Sequence, residues 1–376
     1  MNKLEFDERG GNVMIKSVKF RIYPNKKQQE FIDHTLECYR IVYNKGLEFR
    51  TKTLKSKHKA GFIETSALIT KLKKTKKFAF LKKADAVALI QAMKDLDTGF
   101  KKFYGKTAKY PRFKRKTEGR MAYRTINKDE VIRIDGKHIR LPKIGFIKFI
   151  QTSEVGRIHN ATVERTATGK YYVSLCVDFV PEKRVNGENA IGIDVGIKSF
   201  YTDSNGNKVD NPRYLEKTEK KLARERRRLS RKQSGSKNYK KQRIKVAKVY
   251  EKIKDQRNDF QQKQSTKLLR ENKTVCIENL NVQGIKRNHK LAKQITSVSW
   301  SSFFYMLDYK AKWYGNTIIR VPNNYKSSQT CNCCGYQYHR VQTANLRYWE
   351  CPKCHAKHDR DINASINILN KGLEKI

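Results

Sequence analysis

Three acids stand out because of the residues around them. Asp194 lies in Ile191-Gly192-Ile193-Asp194-Val195-Gly196, an apolar, β-branched run of the kind that fills a sheet core. A carboxylate there is costly unless it is paired or binds a metal. Its plainer use is a strand-end acid hydrogen-bonded to a loop. Glu278 repeats the pattern in Val275-Cys276-Ile277-Glu278-Asn279-Leu280. An acid favoured by the dipole of a helix N-terminus is the competing use there. The third candidate sits in His358-Asp359-Arg360-Asp361-Ile362-Asn363-Ala364-Ser365, at the expected start of the last helix. Asp359 could cap that helix while Asp361 turns inward, and the pattern alone leaves either as the ligand. Two acids on strand ends and one on a C-terminal helix suit a pair of Mg²⁺ ions. Such ions, ~4 Å apart, activate water and stabilise the leaving oxygen of a phosphodiester.

The cysteines suggest a second centre. Cys331-x-x-Cys334 and Cys351-x-x-Cys354 are separated by sixteen residues, which is zinc-ribbon spacing. Two such knuckles supply four thiolates to one tetrahedral Zn²⁺ and leave no open position, so the expected role is structural. Cys333 is out of register. Cys38, Cys176 and Cys276 are also left over, which fits a reduced, metal-binding chain better than a disulfide scaffold. His355 and His358 read as surface or supporting histidines.

The charge points to a polyanion partner. Lys+Arg outnumber Asp+Glu by 83 to 36, a formal net charge of +47, more than solubility alone requires. Two segments concentrate it. Tyr110-Pro111-Arg112-Phe113-Lys114-Arg115-Lys116 mixes rings with cations, which suits base stacking and phosphate contact; Tyr110, Arg112, Phe113 and Lys114 are the candidates. Between Lys217 and Lys248 there are fifteen Lys/Arg against two Glu, with Arg224, Arg227, Arg228 and Arg231 at the centre of this cationic rail. In both segments the bland alternative is a solvated face.

The elements that must position these residues follow from periodicity. Val18 to Tyr23 alternates as a half-buried strand, and Lys27 to Lys106 has helical spacing. Short β-like runs follow at Val131–Ile134, Ile139–Leu141, Phe146–Ile150 and Tyr171–Phe179. With the first strand they could close a small barrel, the helices being an insertion. Pro181 to Asn189 reads as a linker. Beyond it come strands at 191–195, 198–202, 274–277 and 317–321, long basic helices over 215–255 broken near Gly235, an amphipathic helix over 302–314, and a last helix over 359–369. Leu215, Leu222 and Leu229 recur every seven residues and anchor one helix face. No apolar run approaches the length of a membrane span, and Met1 to Val13 reads as a polar tail without a signal-peptide core. A cytoplasmic, nucleoid-associated protein is expected.

Taken in order, Lys19-Phe20-Arg21-Ile22-Tyr23-Pro24, Tyr110-Pro111-Arg112-Phe113-Lys114, Gly192-Ile193-Asp194-Val195-Gly196, Ile277-Glu278-Asn279-Leu280, Ser328-Gln329-Thr330-Cys331 with its knuckles, and His358 to Ala364 resemble TnpB. This is the OrfB family of insertion sequences, related to type V CRISPR effectors. Most of these motifs are weak singly; their ordered set is specific and spans about residues 16 to 369. The resemblance implies an α/β multidomain chain. An RNase H-like RuvC nuclease domain (186–376) would carry an inserted zinc ribbon (328–357). A small β-barrel wedge domain (14–30 and 107–182) would carry an inserted helical recognition domain (31–106). It further implies an RNA-guided DNA endonuclease with two catalytic Mg²⁺ ions, a structural Zn²⁺, a guide RNA from the transposon end, and double-stranded target DNA cut beside a short transposon-adjacent motif. Asp194, Glu278 and Asp361 match the three RuvC acids; Asp361 is preferred to Asp359 because the family acid stands two before the Asn, here Asn363. Cys331, Cys334, Cys351 and Cys354 match the zinc module.

Two other readings stay in competition. One is a guided DNA-binding repressor that does not cut, against which all three acids are present. The other is an unguided RNase H-like transposase or resolvase. The order Asp, Glu, Asp favours RuvC over the usual transposase order Asp, Asp, Glu.

Overall fold

A computed structural model describes residues 13–56, 58–116, 121–181, 188–285, 287–342 and 346–374. Nearly all of the N-terminal tail and most of the linker lie outside the described residues. The chain divides into two compact units at Val180/Pro181.

The first unit opens with strand β1 (Met14–Tyr23). Pro24 ends it, and Asn25 starts helix α1 (Lys26–Lys55) by a reciprocal cap: its side chain accepts from the Gln28 N–H while the Gln28 side chain accepts from the Asn25 N–H, both at 2.9 Å. Helix α2 (Phe62–Lys74), a 3₁₀ stretch (Lys76–Lys83) and α3 (Ala86–Tyr104) follow. Helices α1 and α3 meet so closely at Gly46 that a Cβ there would stand 2.7 Å from the Met93 sulfur. Then come β2 (Met121–Ile126), β3 (Arg133–Asp135), β4 (His138–Leu141), β5 (Gly145–Ile150), β6 (Ile158–Arg165) and β7 (Tyr171–Phe179).

These strands form one seven-stranded sheet in the order β2-β6-β7-β1-β5-β4-β3. The expected closed barrel is instead a curled sheet: among the described residues no ladder joins β2 to β3. The Asn127 side chain spans that gap, donating to the carbonyls of Ile132 and Ile158 at 3.1 and 2.9 Å and accepting from the Ile132 N–H at 2.8 Å. Helices and sheet share one core, from Ile32, Leu47, Leu89 and Leu96 to Ile139, Val163 and Leu175. Two strands escaped the periodicity reading, β2 and β6. Both mix polar residues into the run, and long-range pairing rather than local pattern makes them strands.

The second unit begins with β8 (Ala190–Val195), β9 (Ser199–Asp203) and β10 (Lys208–Asp210). A helical hairpin follows, α4 (Tyr214–Ser230) and α5 (Lys237–Glu271), turning at Gly235 with φ +84°. It is zipped by Leu222, Val246, Val249 and Ile253, with Leu215 and Leu229 beside them, so the seven-residue leucine repeat does mark the packing face. Strand β11 (Thr274–Glu278), α6 (Val282–Ile285), α7 (His289–Val298), α8 (Trp300–Tyr314) and β12 (Thr317–Val321) come next. The cysteine segment contains β13 (Tyr348–Glu350) and β14 (Lys357–Asp359), and α9 (Arg360–Leu373) closes the unit.

The sheet order is β10-β9-β8-β11-β12. The first three strands are antiparallel neighbours, and β8, β11 and β12 run parallel. Side chains alternate between its faces. Ile191, Ile193, Val275 and Ile277 pack one face against Leu268 and Leu269 of α5 and Phe303 and Leu307 of α8. The other face carries α9. A Cβ on Gly192 would stand 2.2 Å from the Ser365 carbonyl oxygen, and one on Gly372 would stand 2.4 Å from the Cys276 sulfur. At Gly192 the helix lies against bare backbone, and at Gly372 the helix itself is bare where the Cys276 side chain meets it. Among the described residues no helix is long and apolar enough to cross a membrane.

Candidate active site

Asp194 and Glu278 follow directly from this arrangement. Ile193 pairs with Ile277 across the parallel strands β8 and β11. One residue further on, Asp194 and Glu278 leave adjacent strand ends on the same face. That face is the one α9 covers, because each acid stands two residues past a contact with the helix, Gly192 and Cys276. Asp361 is in the first turn of α9, one helical turn before Ser365, which lies on Gly192. The fold therefore brings all three acids to one end of the sheet.

Their electrostatics show the crowding. Burial pushes the Asp194 carboxyl well above the usual range, and the negative charges of Glu278 and Asp361 push it further, against a smaller opposing effect of Arg360. Burial also raises Glu278, partly offset by the Ser327 hydroxyl, which donates to its Oε1 at 2.6 Å. Asp361 accepts from the Arg347 guanidinium at 3.0 Å. The acids are not folded into a tight single-ion cage. Among the described residues, the ligand groups whose atoms all lie within 4.8 Å are both built on cysteine.

Asp359, the rival of Asp361, has another job. Its carboxylate accepts the N–H groups of Asp361 and Ile362 at 3.0 and 3.3 Å, capping α9, and it pairs with Lys208 at 2.6 Å. Burial raises its pKa, but Lys208 and the helix N–H groups outweigh that and hold it below the usual carboxylate value.

The four cysteines of the paired knuckles converge within 4.8 Å of one another, with Cys331–Cys354 and Cys334–Cys351 sulfur distances of 3.6 Å. This cluster is compatible with zinc. The knuckles are built alike: the N–H of Gly335 bonds to the Cys331 carbonyl and that of His355 to the Cys351 carbonyl, both at 2.9 Å. Both residues have left-handed backbone, φ +71° and +59°. Cys333 is exposed and outside this four, bonded to the Asn332 side chain. His358 is buried, and its Nε2 lies 3.1 Å from the Cys331 sulfur.

The aromatic-cationic segment divides. Tyr110 is packed edge-on against Phe100 and Phe103 at 5.5 and 5.2 Å, with its hydroxyl on Thr51. Lys114 lies over the rings of Tyr43 and Tyr39 at 4.5 and 5.1 Å, and Asn44 clamps its backbone N–H and C=O. These two anchor the segment to the unit and are not the free contacts the sequence suggested; Arg112 and Phe113 point outward. On α4 and just past it, Arg224, Arg227, Arg228 and Arg231 are all exposed. Buried Glu225 sits beside Arg224 and Arg228 and takes a hydrogen bond from Gln242 of α5 at 2.7 Å. Sequence reasoning missed Lys208, Ser327 and Arg347, isolated polar residues with no spacing to mark them.

Comparison with known proteins follows this architecture. The sequence model of OrfB_IS605, described as "Probable transposase", matches residues 172–289, and a "Cas12f1-like, TNB domain" matches 300–368. A "Helix-turn-helix domain" of the OrfB_IS605 type matches 14–59, within which Met14–Tyr23 and Lys26–Lys55 fold here as strand β1 and the single helix α1. A Streptomyces pristinaespiralis protein named "Putative RNA-guided DNA endonuclease" is 38% identical over 95% of this chain and 89% of its own length. An Escherichia coli K12 protein, "Putative RNA-guided DNA endonuclease InsQ", is 26% identical over 95% of this chain and 92% of its own. The protein chain of a Cas12f1–sgRNA–target DNA complex shares the fold, with a TM-score of 0.56 and 15% identity over 95% of this chain and 99% of that one. The chain belongs to the OrfB family of TnpB-like proteins.

Proposed function

We propose that this chain is an RNA-guided DNA endonuclease that cuts target DNA beside a short transposon-adjacent motif, through a single RuvC-type site in an RNase H-like domain (186–376). The observation that carries the reading is the meeting of Asp194, Glu278 and Asp361 at one sheet end under α9. Membership of a family whose relatives bear the endonuclease name supports it.

The donor set fits Mg²⁺. It offers hard carboxylate oxygens whose mutual repulsion a divalent ion relieves. Asp194, Glu278 and Asp361 would hold two such ions, which when bound activate a water and stabilise the leaving oxygen of a phosphodiester. The chain's own groups then supply position and charge. Arg347 holds Asp361 and adds a cation beside the acids. The arginines of α4 contact phosphates without reading sequence. Base pairing with a guide RNA from the transposon end selects the target, and the protein reads only the adjacent motif and duplex shape. Residues 14–30 and 107–182 serve as the wedge, 31–106 as the recognition lobe, and 328–357 as a zinc ribbon with one structural Zn²⁺ on Cys331, Cys334, Cys351 and Cys354.

Plasmid cleavage by the purified protein–RNA complex in Mg²⁺ tests the reading. Asp194→Ala is expected to retain RNA but lose more than about 100-fold in cutting, beyond the ~10–100-fold that loss of a mere supporting partner costs. Normal cutting by the variant overturns the site. Cutting that survives removal of the RNA overturns the guide.

A further inference from the structure

The segment between β12 and the first knuckle is gripped by α9. Asn363 and Asn367 lie one turn apart on that helix and are almost fully buried. Both side-chain amides converge on the same two carbonyls. Asn367 donates to Ser327 O at 2.9 Å and Thr330 O at 2.6 Å; Asn363 donates to Thr330 O at 2.7 Å and, more weakly, to Ser327 O at 3.5 Å. Asn363 also accepts the Asn332 N–H at 3.0 Å, inside the knuckle. Thr330 further closes a turn back on Lys326. A connection without regular structure is thereby fixed at both ends of four residues.

What this fixation achieves is visible at Ser327. It is buried, its carbonyl is held by the asparagines, and its hydroxyl donates to Glu278 Oε1 at 2.6 Å. That short bond to a carboxylate is of the strong, charge-assisted kind. It occupies one oxygen of Glu278 and sets the rotation of the carboxylate, leaving Oε2 for another partner. The helix that carries Asp361 thus also sets the orientation of Glu278, through Asn363, Asn367 and Ser327. Within the cysteine segment, between the two knuckles, Arg347 reaches Asp361. Two of the three acids are therefore held by residues flanking or within that segment.

We propose that Ser327 is a positioning residue of the carboxylate centre, orienting Glu278 to receive a divalent ion, and that the Asn363–Asn367 clamp holds it there. The proposal rests on the reading of the three acids as ion ligands. Partners that orient a metal-binding carboxylate are typically worth ~10–100-fold in metal affinity.

The test is Mn²⁺ binding to the full-length protein–RNA complex, followed by electron paramagnetic resonance. The signal of an Asp194→Asn complex is subtracted to remove ions bound to RNA. Ser327→Ala is expected to weaken the Asp194-dependent binding about 10-fold. Ser327→Thr, which keeps a hydroxyl, should stay near wild type. In cleavage assays Ser327→Ala should need about 10-fold more Mg²⁺ and regain the wild-type rate at saturation. Melting temperatures report folding separately, because a merely structural serine would lower them without moving the Mn²⁺ affinity. Wild-type Mn²⁺ affinity in Ser327→Ala overturns the proposal while leaving the ion site intact. If the wild-type complex shows no Asp194-dependent binding, the reading beneath it falls first.

Discussion

Asp359 and Asp361, two residues apart, differ at the residue scale: Asp359 caps α9, and Asp361 is the proposed site acid. Asp359→Asn removes a charge that pairs with Lys208 while leaving a side chain that still caps helices well. It is expected to lower stability by about 1 kcal/mol and to keep cutting. Asp361→Asn should do the reverse: cutting is lost while stability stays near wild type, because relief of the crowding at Asp194 offsets the lost pair with Arg347. Urea titration and plasmid cleavage read the two effects separately. The raised carboxyls of Asp194 and Glu278 give a pH dependence with a definite sign. Their folded-state pKa values lie above the ordinary 3.8 and 4.5, so the native state binds more protons than the unfolded chain. In divalent-free buffer stability should therefore fall as pH rises above those ordinary values, until the folded-state values are passed. Asp194→Asn should melt higher than wild type at neutral pH without divalent ions, and this advantage should shrink or reverse in Mg²⁺. A wild-type melting temperature indifferent to Mg²⁺ would contradict the assignment.

The decisive element is α9, and its position depends on what the sheet lacks. Gly192 has no side chain where the Ser365 carbonyl and Leu369 backbone approach. Gly192→Ala places a Cβ in contact with backbone that cannot swing away. The helix must shift, carrying Asp361 with it and straining the Asn363 and Asn367 grip. We expect a loss of about 3 kcal/mol or more and a fall in cutting larger than the lost folded fraction explains. Denaturant titration beside cleavage per folded molecule checks this. The Gly192-Ile193-Asp194 sequence shows why: the residue that lets the helix in stands two before the acid the helix covers, on the same face of the strand.

On the scale of the whole molecule the excess of positive charge is organised. The hairpin of α4 and α5 buries Leu222, Val246, Val249 and Ile253 and leaves Arg224, Arg227 and Arg228 outside. Replacing Arg224, Arg227, Arg228 and Arg231 with Gln should weaken RNA or DNA binding and make it less salt-dependent. Each lost phosphate contact removes ~0.7–0.9 from the slope of log affinity against log salt. Filter binding across a salt series measures both; an unchanged slope would mean the rail is only a solvated face. Tyr110 and Lys114 do not belong in that experiment. Their rings and stems hold the first unit together, so changing them would report stability.

The amino-acid sequence marked the candidate site residues and most of the elements. Asp194 and Glu278 were legible because an acid ending an apolar run is costly, and the knuckles because cysteine spacing is a metal code. The long helices and the leucine repeat were legible because helical periodicity is local. What required the tertiary structure was relational. That Asp359 caps α9 and pairs with Lys208, while Asp361 lies beside Arg347, could be seen only in the tertiary structure. Strands β2 and β6 needed their partners, and the curl of the first sheet needed Asn127 to bridge its ends. Ser327, Arg347, Asn363 and Asn367 acquire meaning only when β11, the cysteine segment and α9 meet. A hydrogen bond between residues 49 apart in sequence, such as Ser327 to Glu278, leaves no local periodicity to find.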